Sequence, residues 1–283
     1  MSKRNYEFEL ESQDAEVQAL LLSMNLKYGY DFRDYSFVHI KRRIMHLLSI
    51  TNIDSISMLQ SKMLYSRDFF ENIMLPAFSV NVTEMFRDAD FFKAIRNEVI
   101  PKLKEIPFIK IWHCGCSTGE EAYSMSILLM EEGIYDKAQI YATDFNEKVL
   151  IKAREGRLPI DEAKSHTKNY HLSGGLKSFS DYYTVSDGFA VLNKELLSNI
   201  VFATHNLVSD GVFGEMNLIV CRNVLIYFNT SLQKRAIKLF SDSLTKGGVL
   251  CLGSKESLKE EDKNDFRVLK EKEKIFIKRE MDG

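Results

Sequence analysis

The chain has 283 residues, of which 45% are hydrophobic and 28% are charged, a balance that is ordinary for a globular protein. Its formal net charge of −2 argues against a dedicated nucleic-acid binder, which usually carries a large basic excess. No apolar run approaches the roughly 18–20 residues that span a bilayer, and residues 1–30 lack the apolar segment of a secretory signal.

Because no export signal precedes them, the four cysteines are expected to be reduced thiols of a cytoplasmic protein. Cys114 and Cys116 form a Cys-x-Cys pair, but no second pair follows at the spacing of a zinc site. We therefore predict neither a metal site nor insertion into a membrane.

Residues 10–78 show the apolar spacing of amphipathic helices and no alternation of period two. The sequence therefore predicts an all-helical N-terminal domain over residues 1–78. The apolar residues at helical spacing are Val17, Leu20, Leu21, Met24, Phe37, Ile40, Ile44, Leu47 and Leu48.

From residue 108 onward, short apolar runs alternate with helical patterns, which indicates parallel βαβ units. The sequence predicts an α/β domain with a doubly wound sheet over residues 79–283. Turn residues around short apolar runs predict a small antiparallel β insertion at about 165–198, and residues 266–278 alternate like two paired strands at the sheet edge. The other predicted strands are 108–114, 139–143, 199–204, 217–221 and 249–253, and the helices are 120–131, 146–154 and 231–244.

The segment 114–121, CGCSTGEE, follows a predicted strand and opens a predicted helix. Gly115 and Gly119 allow the backbone to approach a ligand closely, although such a turn also occurs where a strand packs tightly on a helix. No Lys-Ser/Thr pair is present to hold a phosphate. Glu120 and Glu121 at the helix start favour a ligand that carries an ammonium or sulfonium charge, but each is also an ordinary first-turn residue.

Polar residues end two further predicted strands. Asp144 is suited to accept hydrogen bonds from ribose hydroxyls, or it caps the next helix. Arg222 and Asn223 leave a buried strand and so need polar partners, either a ligand or a structural acid. Together with the glycine loop, these residues predict an adenosine-containing ligand at the carboxyl edge of the sheet.

Four segments of the chain form an ordered set of motifs. They are Thr83 to Arg87 (TEMFR), Ser117 to Ser124 (STGEEAYS), Cys221 to Phe228 (CRNVLIYF) and Gly247 to Leu258 (GGVLCLGSKESL), with Asp144 ending a strand. Together they resemble the corresponding segments of the CheR-type chemotaxis receptor methyltransferases. Met85 and Ala122 depart from the family pattern, where Phe and Pro are usual.

The resemblance implies a Rossmann-like class I methyltransferase sheet with an all-helical N-terminal domain and a small antiparallel β insertion. It implies S-adenosylmethionine as cofactor and glutamate side chains of methyl-accepting chemotaxis receptors as substrate. Arg87, Arg222 and Tyr227 are the expected catalytic residues. The expected cofactor contacts are Asn81, Thr83, Arg87, Glu121, Asp144, Asn206, Leu207, Cys221 and Arg222.

A basic face on the predicted helix around residue 42 is a candidate docking surface. His39, Arg42, Arg43 and His46 lie at helical spacing, opposite the apolar residues of the same helix. Arg42 and Arg43 are expected to meet an acidic receptor helix, although a merely solvated helix face has the same pattern. The chain is expected to act as a monomer on the cytoplasmic helical domain of the receptor.

Two other functions remain open at the level of sequence. The basic face also permits a methyltransferase that acts on nucleic acid or a small molecule. However, no Asn/Asp-Pro-Pro-aromatic segment, which amine-methylating enzymes carry, is present. A regulatory module that binds the cofactor without transferring its methyl group is the second alternative. The presence of Arg87, Arg222 and Tyr227 together argues against it.

Overall fold

The computed structural model describes residues 3–79 and 82–280, with side chains from residue 11 onward. The chain folds into two compact units. The first comprises Met1–Val80 and Ile226–Arg235, and the second comprises Asn81–Leu225 and Ala236–Gly283. No helix in the described ranges has the length and apolar character needed to cross a membrane.

The described N-terminal part of the first unit is helical, as predicted. Its helices are α1 (Lys3–Tyr28), α2 (Phe37–Thr51), α3 (Ile56–Tyr65), α4 (Arg67–Phe69), a π-helical turn (Phe70–Met74) and α5 (Leu75–Phe78). Asn52 ends α2 in the left-handed conformation, and Ser55 caps α3 by accepting a hydrogen bond from the Met58 amide at 3.2 Å. Apolar residues at helical spacing, such as Ile40 and Ile44, are fully buried.

The second unit is built on a seven-stranded sheet. Its strands are β1 (Ile109–Cys114), β2 (Ala138–Asp144), β6 (Ile200–Thr204), β7 (Met216–Cys221), β8 (Leu244–Leu252), β9 (Phe266–Lys270) and β10 (Ile275–Lys278). They lie in the order β6-β2-β1-β7-β8-β10-β9. The first five strands of that order pair in parallel, and β10 runs antiparallel to both β8 and β9 at one edge. The predicted α/β sheet and the antiparallel C-terminal pair are confirmed.

Helices connect these strands and cover the sheet. They are α6 (Ala89–Ala94), a π-helical turn (Ile95–Val99), α7 (Ile100–Lys104), α8 (Glu120–Glu131), α9 (Glu147–Glu155), α10 (Ala163–Leu172), α11 (Lys194–Leu197) and α12 (Thr230–Ser243). Gly119, with φ 99°, precedes α8, and Asn146 caps α9 by accepting from the Lys148 amide at 3.0 Å. Helix α12 begins in the segment that belongs to the first unit.

A small antiparallel sheet accompanies the main sheet. Strands β4 (Tyr183–Ser186) and β5 (Phe189–Leu192) lie within the predicted insertion, and β3 (Arg157–Pro159) precedes it. The three strands lie in the order β3-β5-β4. The first part of the predicted insertion is helical, as α10, because His166 and Tyr170 are buried one turn apart.

The order of the parallel strands creates a crevice that defines where a ligand binds. The chain proceeds from β1 outward to β2 and β6, then returns to β7 on the other side of β1 and continues to β8. Ligands of open α/β sheets bind at such a switch point, outside the carboxyl ends of the strands. The loops after β1, β2, β6 and β7 therefore form the candidate site.

Candidate active site

The structure brings most of the predicted cofactor residues to one edge of the sheet. Parallel strands present their carboxyl ends on the same side, so the residues that follow β1, β2, β6 and β7 share that edge. Asn81 lies outside the described residues, and Tyr227 belongs to the first unit. The predicted residues at this edge are Glu121, Asp144, Asn206, Leu207, Cys221 and Arg222.

Glu121, in the first turn of α8, joins β1 to the loop after β7. Its Oε1 lies 3.0 Å from His113 Nδ1, and its Oε2 accepts a hydrogen bond from Arg222 Nη1 at 2.9 Å. Burial alone raises the pKa of this carboxyl, but the His113 hydrogen bond and the charge of Arg222 outweigh burial and lower it. Glu121 is therefore an ionised carboxylate at neutral pH.

Arg222 is the most enclosed cation of the site, with a side chain that is only 2% exposed. Besides Glu121, it contacts Asp88 through Nη2 at 2.5 Å, and its Cζ lies 4.0 Å from the centre of the Phe91 ring. Arg222 thus pairs with structural acids, which was one of the two interpretations of this residue from the sequence. We refer to His113, Glu121, Arg222 and Asp88 as the charge cluster.

The segment before α6 is clamped against the start of α8. The Phe86 amide donates to Ser124 Oγ at 2.8 Å, and Phe86 and Asp88 both adopt positive φ, 53° and 56°. This left-handed backbone costs free energy in residues other than glycine, and it is held here by the surrounding packing. Arg87 stands between the two and remains partly exposed, with Nη1 donating to the Val82 carbonyl at 3.0 Å.

Asp144 links the loops after β1 and β2. Its Oδ2 accepts from the Ser117 amide at 3.1 Å and its Oδ1 from the Asn146 amide at 3.0 Å. Asn146, not Asp144, caps α9, so the capping interpretation of Asp144 is wrong. Burial raises the pKa of Asp144, and the backbone hydrogen bonds oppose that shift.

Gly115 is required by the packing of the loop after β1. It adopts φ 70°, and a Cβ at this position would lie 2.6 Å from Val224 Cγ2 in the loop after β7. The absence of a side chain thus allows these two loops to approach across the switch point. Gly115 therefore serves the packing of one loop against another.

Glu256 fixes loops of the candidate site, and sequence reasoning missed it. Its carboxylate accepts hydrogen bonds from the amides of Asn223 at 3.2 Å, Val224 at 2.9 Å and Gly253 at 2.5 Å. It therefore holds the loop that contains Arg222 against the end of β8. Its position within GSKESL was a signal, but neither spacing nor charge indicated which amides it would accept from. His113 and Asp88 were missed for the same reason.

Cys221 ends β7 with its side chain fully buried, beside the equally buried Cys114 of β1. Burial raises the pKa of both thiols. Both are therefore inert at neutral pH. Only the main chain of Cys221 is therefore available to contact a ligand.

The residues present at this edge fit a cationic ligand that contains an adenosine. Asp88, Glu120, Glu121 and Asp144 supply carboxylates at this edge, and Arg87 and Arg222 supply guanidinium groups. Within the described part of the chain, three buried polar atoms that follow β1, β6 and β7 have no hydrogen-bond partner, and a bound ligand can satisfy them. These atoms are Ser117 Oγ, His205 Nδ1 and Arg222 Nε. The described residues contain no acid, His and Cys group that could hold a metal ion.

The two predicted docking arginines lie in the first unit, on α2. Arg42 is exposed, and Arg43 is half-buried, with Nη1 donating to the Ala77 carbonyl at 2.9 Å. Both line an open cleft of about 650 Å³ with His46 and the apolar side chains Ile50 and Ile73. We call this surface the basic cleft.

Comparisons with known proteins agree with the geometry of the second unit. Residues 81–275 match the family model described as CheR methyltransferase, SAM binding domain. A Pseudomonas putida protein named methyltransferase Cher3 is 46% identical over 94% of this chain and 97% of its own length. A chemotaxis protein methyltransferase of Borreliella burgdorferi is 28% identical over 86% of this chain and 88% of its own length. The chain therefore belongs to the CheR methyltransferase family, and it is a methyltransferase whose cofactor is S-adenosylmethionine.

Proposed function

We propose that this protein transfers a methyl group from S-adenosylmethionine to glutamate carboxylates of chemotaxis receptors and forms glutamate methyl esters. The observation that carries the proposal is the contrast between two arginines of the candidate site. Arg222 is fully neutralised by Glu121 and Asp88, whereas Arg87 is partly exposed, and its guanidinium is bound only to a backbone carbonyl among the described residues. A partly exposed arginine beside an acid-rich cofactor cleft is suited to an acceptor that carries a carboxylate.

The names of related proteins support the same substrate class. Relatives from Listeria monocytogenes and Vibrio cholerae, 29% identical over 81% and 82% of this chain, are chemotaxis protein methyltransferases. Receptors that accept methyl groups in chemotaxis expose glutamates on cytoplasmic helices, as the resemblance of the sequence implies. We propose the same acceptor for this chain, acting as a monomer in the cytoplasm.

The reaction requires no general base. A glutamate side chain has an unperturbed pKa of about 4.3, so it is already a carboxylate at neutral pH. When bound, S-adenosylmethionine supplies an electrophilic methyl group on a sulfonium sulfur. Transfer of that methyl group to one carboxylate oxygen would leave the electron pair of the broken carbon–sulfur bond on sulfur and would move no proton. The protein aligns these atoms and excludes water, and this alignment lowers the activation free energy by several kcal/mol.

The chemistry of the cleft residues supports separate roles for its acids and cations. Asp144 is suited to the ribose hydroxyls of the cofactor, and Glu121 to its ammonium group. The other proposed cofactor residues are Asn81, Thr83, Arg87, Asn206, Leu207, Cys221 and Arg222.

We assign the acceptor carboxylate to Arg87 and a positioning role to Arg222. Because Arg222 already binds two carboxylates, its effect on catalysis is to orient Glu121. Arg87 restrains one oxygen of the acceptor and leaves the other free to attack, since binding both would stabilise the ground state. We assign to Tyr227 the orientation of the acceptor.

The basic cleft supports a receptor helix as the macromolecular partner. Basic side chains, from Arg42, Arg43 and His46, line it together with apolar Ile50 and Ile73. An acidic amphipathic helix offers the complementary charge and an apolar stripe. Attraction between these charges speeds the encounter most at low salt.

The test uses the full chain, labelled S-adenosylmethionine and the purified cytoplasmic fragment of a receptor from the same genome. We expect label in the receptor, released as methanol by mild base because it is an ester, and mass mapping should place it on glutamate. Duplex DNA, RNA and a receptor fragment with its mapped glutamates changed to alanine serve as controls. Label in nucleic acid would overturn the proposal in favour of another substrate. Tight cofactor binding without label in the receptor would overturn it in favour of a regulatory module.

A further inference from the structure

Tyr227 is folded against the segment that leads into α2 within the first unit. Its carbonyl accepts a hydrogen bond from the Ser36 amide at 2.7 Å. The next residue, Phe228, forms an antiparallel bridge with Tyr35, and the two rings pack edge to face with centroids 5.0 Å apart. The backbone of Tyr227 is therefore fixed by residues of the helical unit.

Two side chains of α2 contact the ring of Tyr227. The guanidinium carbon of Arg43 lies 5.2 Å from the ring centroid, and the His39 ring meets it edge to face at 5.7 Å. Arg43 is itself held from the other side, by its hydrogen bond to the Ala77 carbonyl. Among the described residues the Tyr227 hydroxyl has no hydrogen-bond partner, so π contacts locate the ring and leave its hydroxyl available.

Arg42, the neighbouring arginine, differs from Arg43 in its exposure and in its lack of contact with Tyr227. Arg42 lines the same basic cleft but is exposed, and no ring contact joins it to Tyr227 in the described part of the chain. Arg43 is half-buried, and burial lowers the pKa of its guanidinium, a shift that Tyr227 opposes. Arg42 therefore faces solvent, whereas Arg43 contacts the ring of Tyr227.

We propose that Arg43, together with His39, is a positioning residue that sets the orientation of Tyr227. This inference rests on the proposed function, in which Tyr227 orients the acceptor carboxylate. A receptor helix seated in the basic cleft contacts the same guanidinium that locates the tyrosine ring. Docking of the acceptor and alignment of the reacting groups are thus coupled through one side chain.

A steady-state experiment separates positioning from docking. Receptor methylation is measured with Arg43→Met, Arg43→Lys and, as the matched neighbour, Arg42→Met. We expect Arg43→Met to lower kcat about threefold to thirtyfold, the range of a cation–π contact. Arg43→Lys should recover most of kcat because it keeps the charge, and Arg42→Met should raise the KM for receptor with kcat unchanged.

A second background shows whether Arg43 acts through Tyr227. In a Tyr227→Ala chain, Arg43→Met should have no further effect on kcat, because the group that it positions is gone. Cofactor affinity, measured by calorimetry, should match the wild type in every Arg43 variant and so report correct folding. Equal loss of kcat from Arg43→Met in both backgrounds, or an unchanged kcat, overturns the inference.

A spectroscopic readout keeps the inference testable if the substrate proposal fails. The chain is labelled with 3-fluorotyrosine, and the Tyr227 fluorine resonance is identified by its loss in Tyr227→Phe. We expect this resonance to shift in Arg43→Met and to stay in place in Arg42→Met. A wild type that leaves the receptor unmethylated refutes the proposed function alone, whereas an unmoved resonance in Arg43→Met refutes the positioning role alone.

Discussion

The charge cluster of the second unit and the basic cleft of the first unit differ in whether their charged side chains are paired and buried. In the charge cluster, Arg222 is almost inaccessible to water and is bound to two carboxylates. In the basic cleft, Arg42 is exposed, and no acidic side chain occurs among the described residues that line it. One region therefore satisfies its charges internally, and the other presents them outward.

This difference indicates two kinds of recognition. Desolvated and mutually paired charges keep one geometry, which suits a small ligand that must be held in a single pose. Solvated charges of one sign interact weakly at any one contact, but they steer a large partner of opposite charge. We therefore expect substitutions in the charge cluster to change stability and cofactor binding strongly, and those in the basic cleft to change receptor encounter modestly.

The largest effect is expected for Glu121→Ala. It leaves the buried Arg222 with a single, half-exposed carboxylate partner, Asp88, and removal of one partner of a buried pair costs about 3–5 kcal/mol. Urea unfolding measures the free energy. Glu98→Ala, which breaks a surface pair with Lys270, is the matched control and should cost less than about 1 kcal/mol. Equal costs for the two variants would contradict the buried-pair description.

Asp144→Asn should weaken cofactor binding by about tenfold to a hundredfold, the range expected for a lost hydrogen bond to a charged group. Isothermal calorimetry with S-adenosylhomocysteine, the demethylated product, measures this change without catalysis. The exposed Asp136→Asn, elsewhere in the second unit, should bind as the wild type does. An unchanged Kd in Asp144→Asn would remove Asp144 from the cofactor site.

The pKa of Glu121 predicts a stability change in acid. Its pKa is lowered in the folded chain from an ordinary value of 4.5, so its stabilisation is fully present above pH 4.5. That stabilisation is lost as the pH falls below 4.5 and through the lowered pKa. Unfolding free energies between about pH 3 and pH 6 should therefore fall more steeply for the wild type than for Glu121→Gln. Parallel curves for the two chains would show that the charge cluster does not set this slope.

The smallest effect is expected for Arg42→Glu in the basic cleft. Reversing one solvated charge should raise the KM for receptor about twofold to tenfold at low salt, with a smaller change at high salt. Lys27→Glu, an equal charge change at an exposed position of α1, should leave the KM nearly unchanged. If both variants weaken receptor methylation alike, the effect belongs to net charge and not to the cleft.

The elements predicted from periodicity agree closely with those observed. The predicted helix 120–131 is α8, and the predicted strand 217–221 is β7 with one further residue. These assignments succeed because apolar spacing within one element depends only on which face that element buries. The helix α10 and the strand β3 were missed, since short segments with few apolar residues receive their structure from packing against neighbours.

The candidate site was predicted in outline and not in its contacts. Sequence reasoning placed Glu121 at a helix start and Asp144 and Arg222 at strand ends, because turn residues and polar side chains mark the places where strands stop. It did not predict that Arg222 pairs with Asp88, which is 134 positions away. Glu256, which binds three amides of two loops, likewise has no signature in a one-dimensional pattern.

The amino-acid sequence by itself determined the alternation of helices and strands, the glycine loop after β1 and the family, since each depends on residues close together along the chain. Only the tertiary structure decided which charges neutralise one another and that Tyr227 lies in the unit of α2. The physical reason is that the free energy of a buried charge or ring depends on the partners that folding brings to it, however distant they are in sequence.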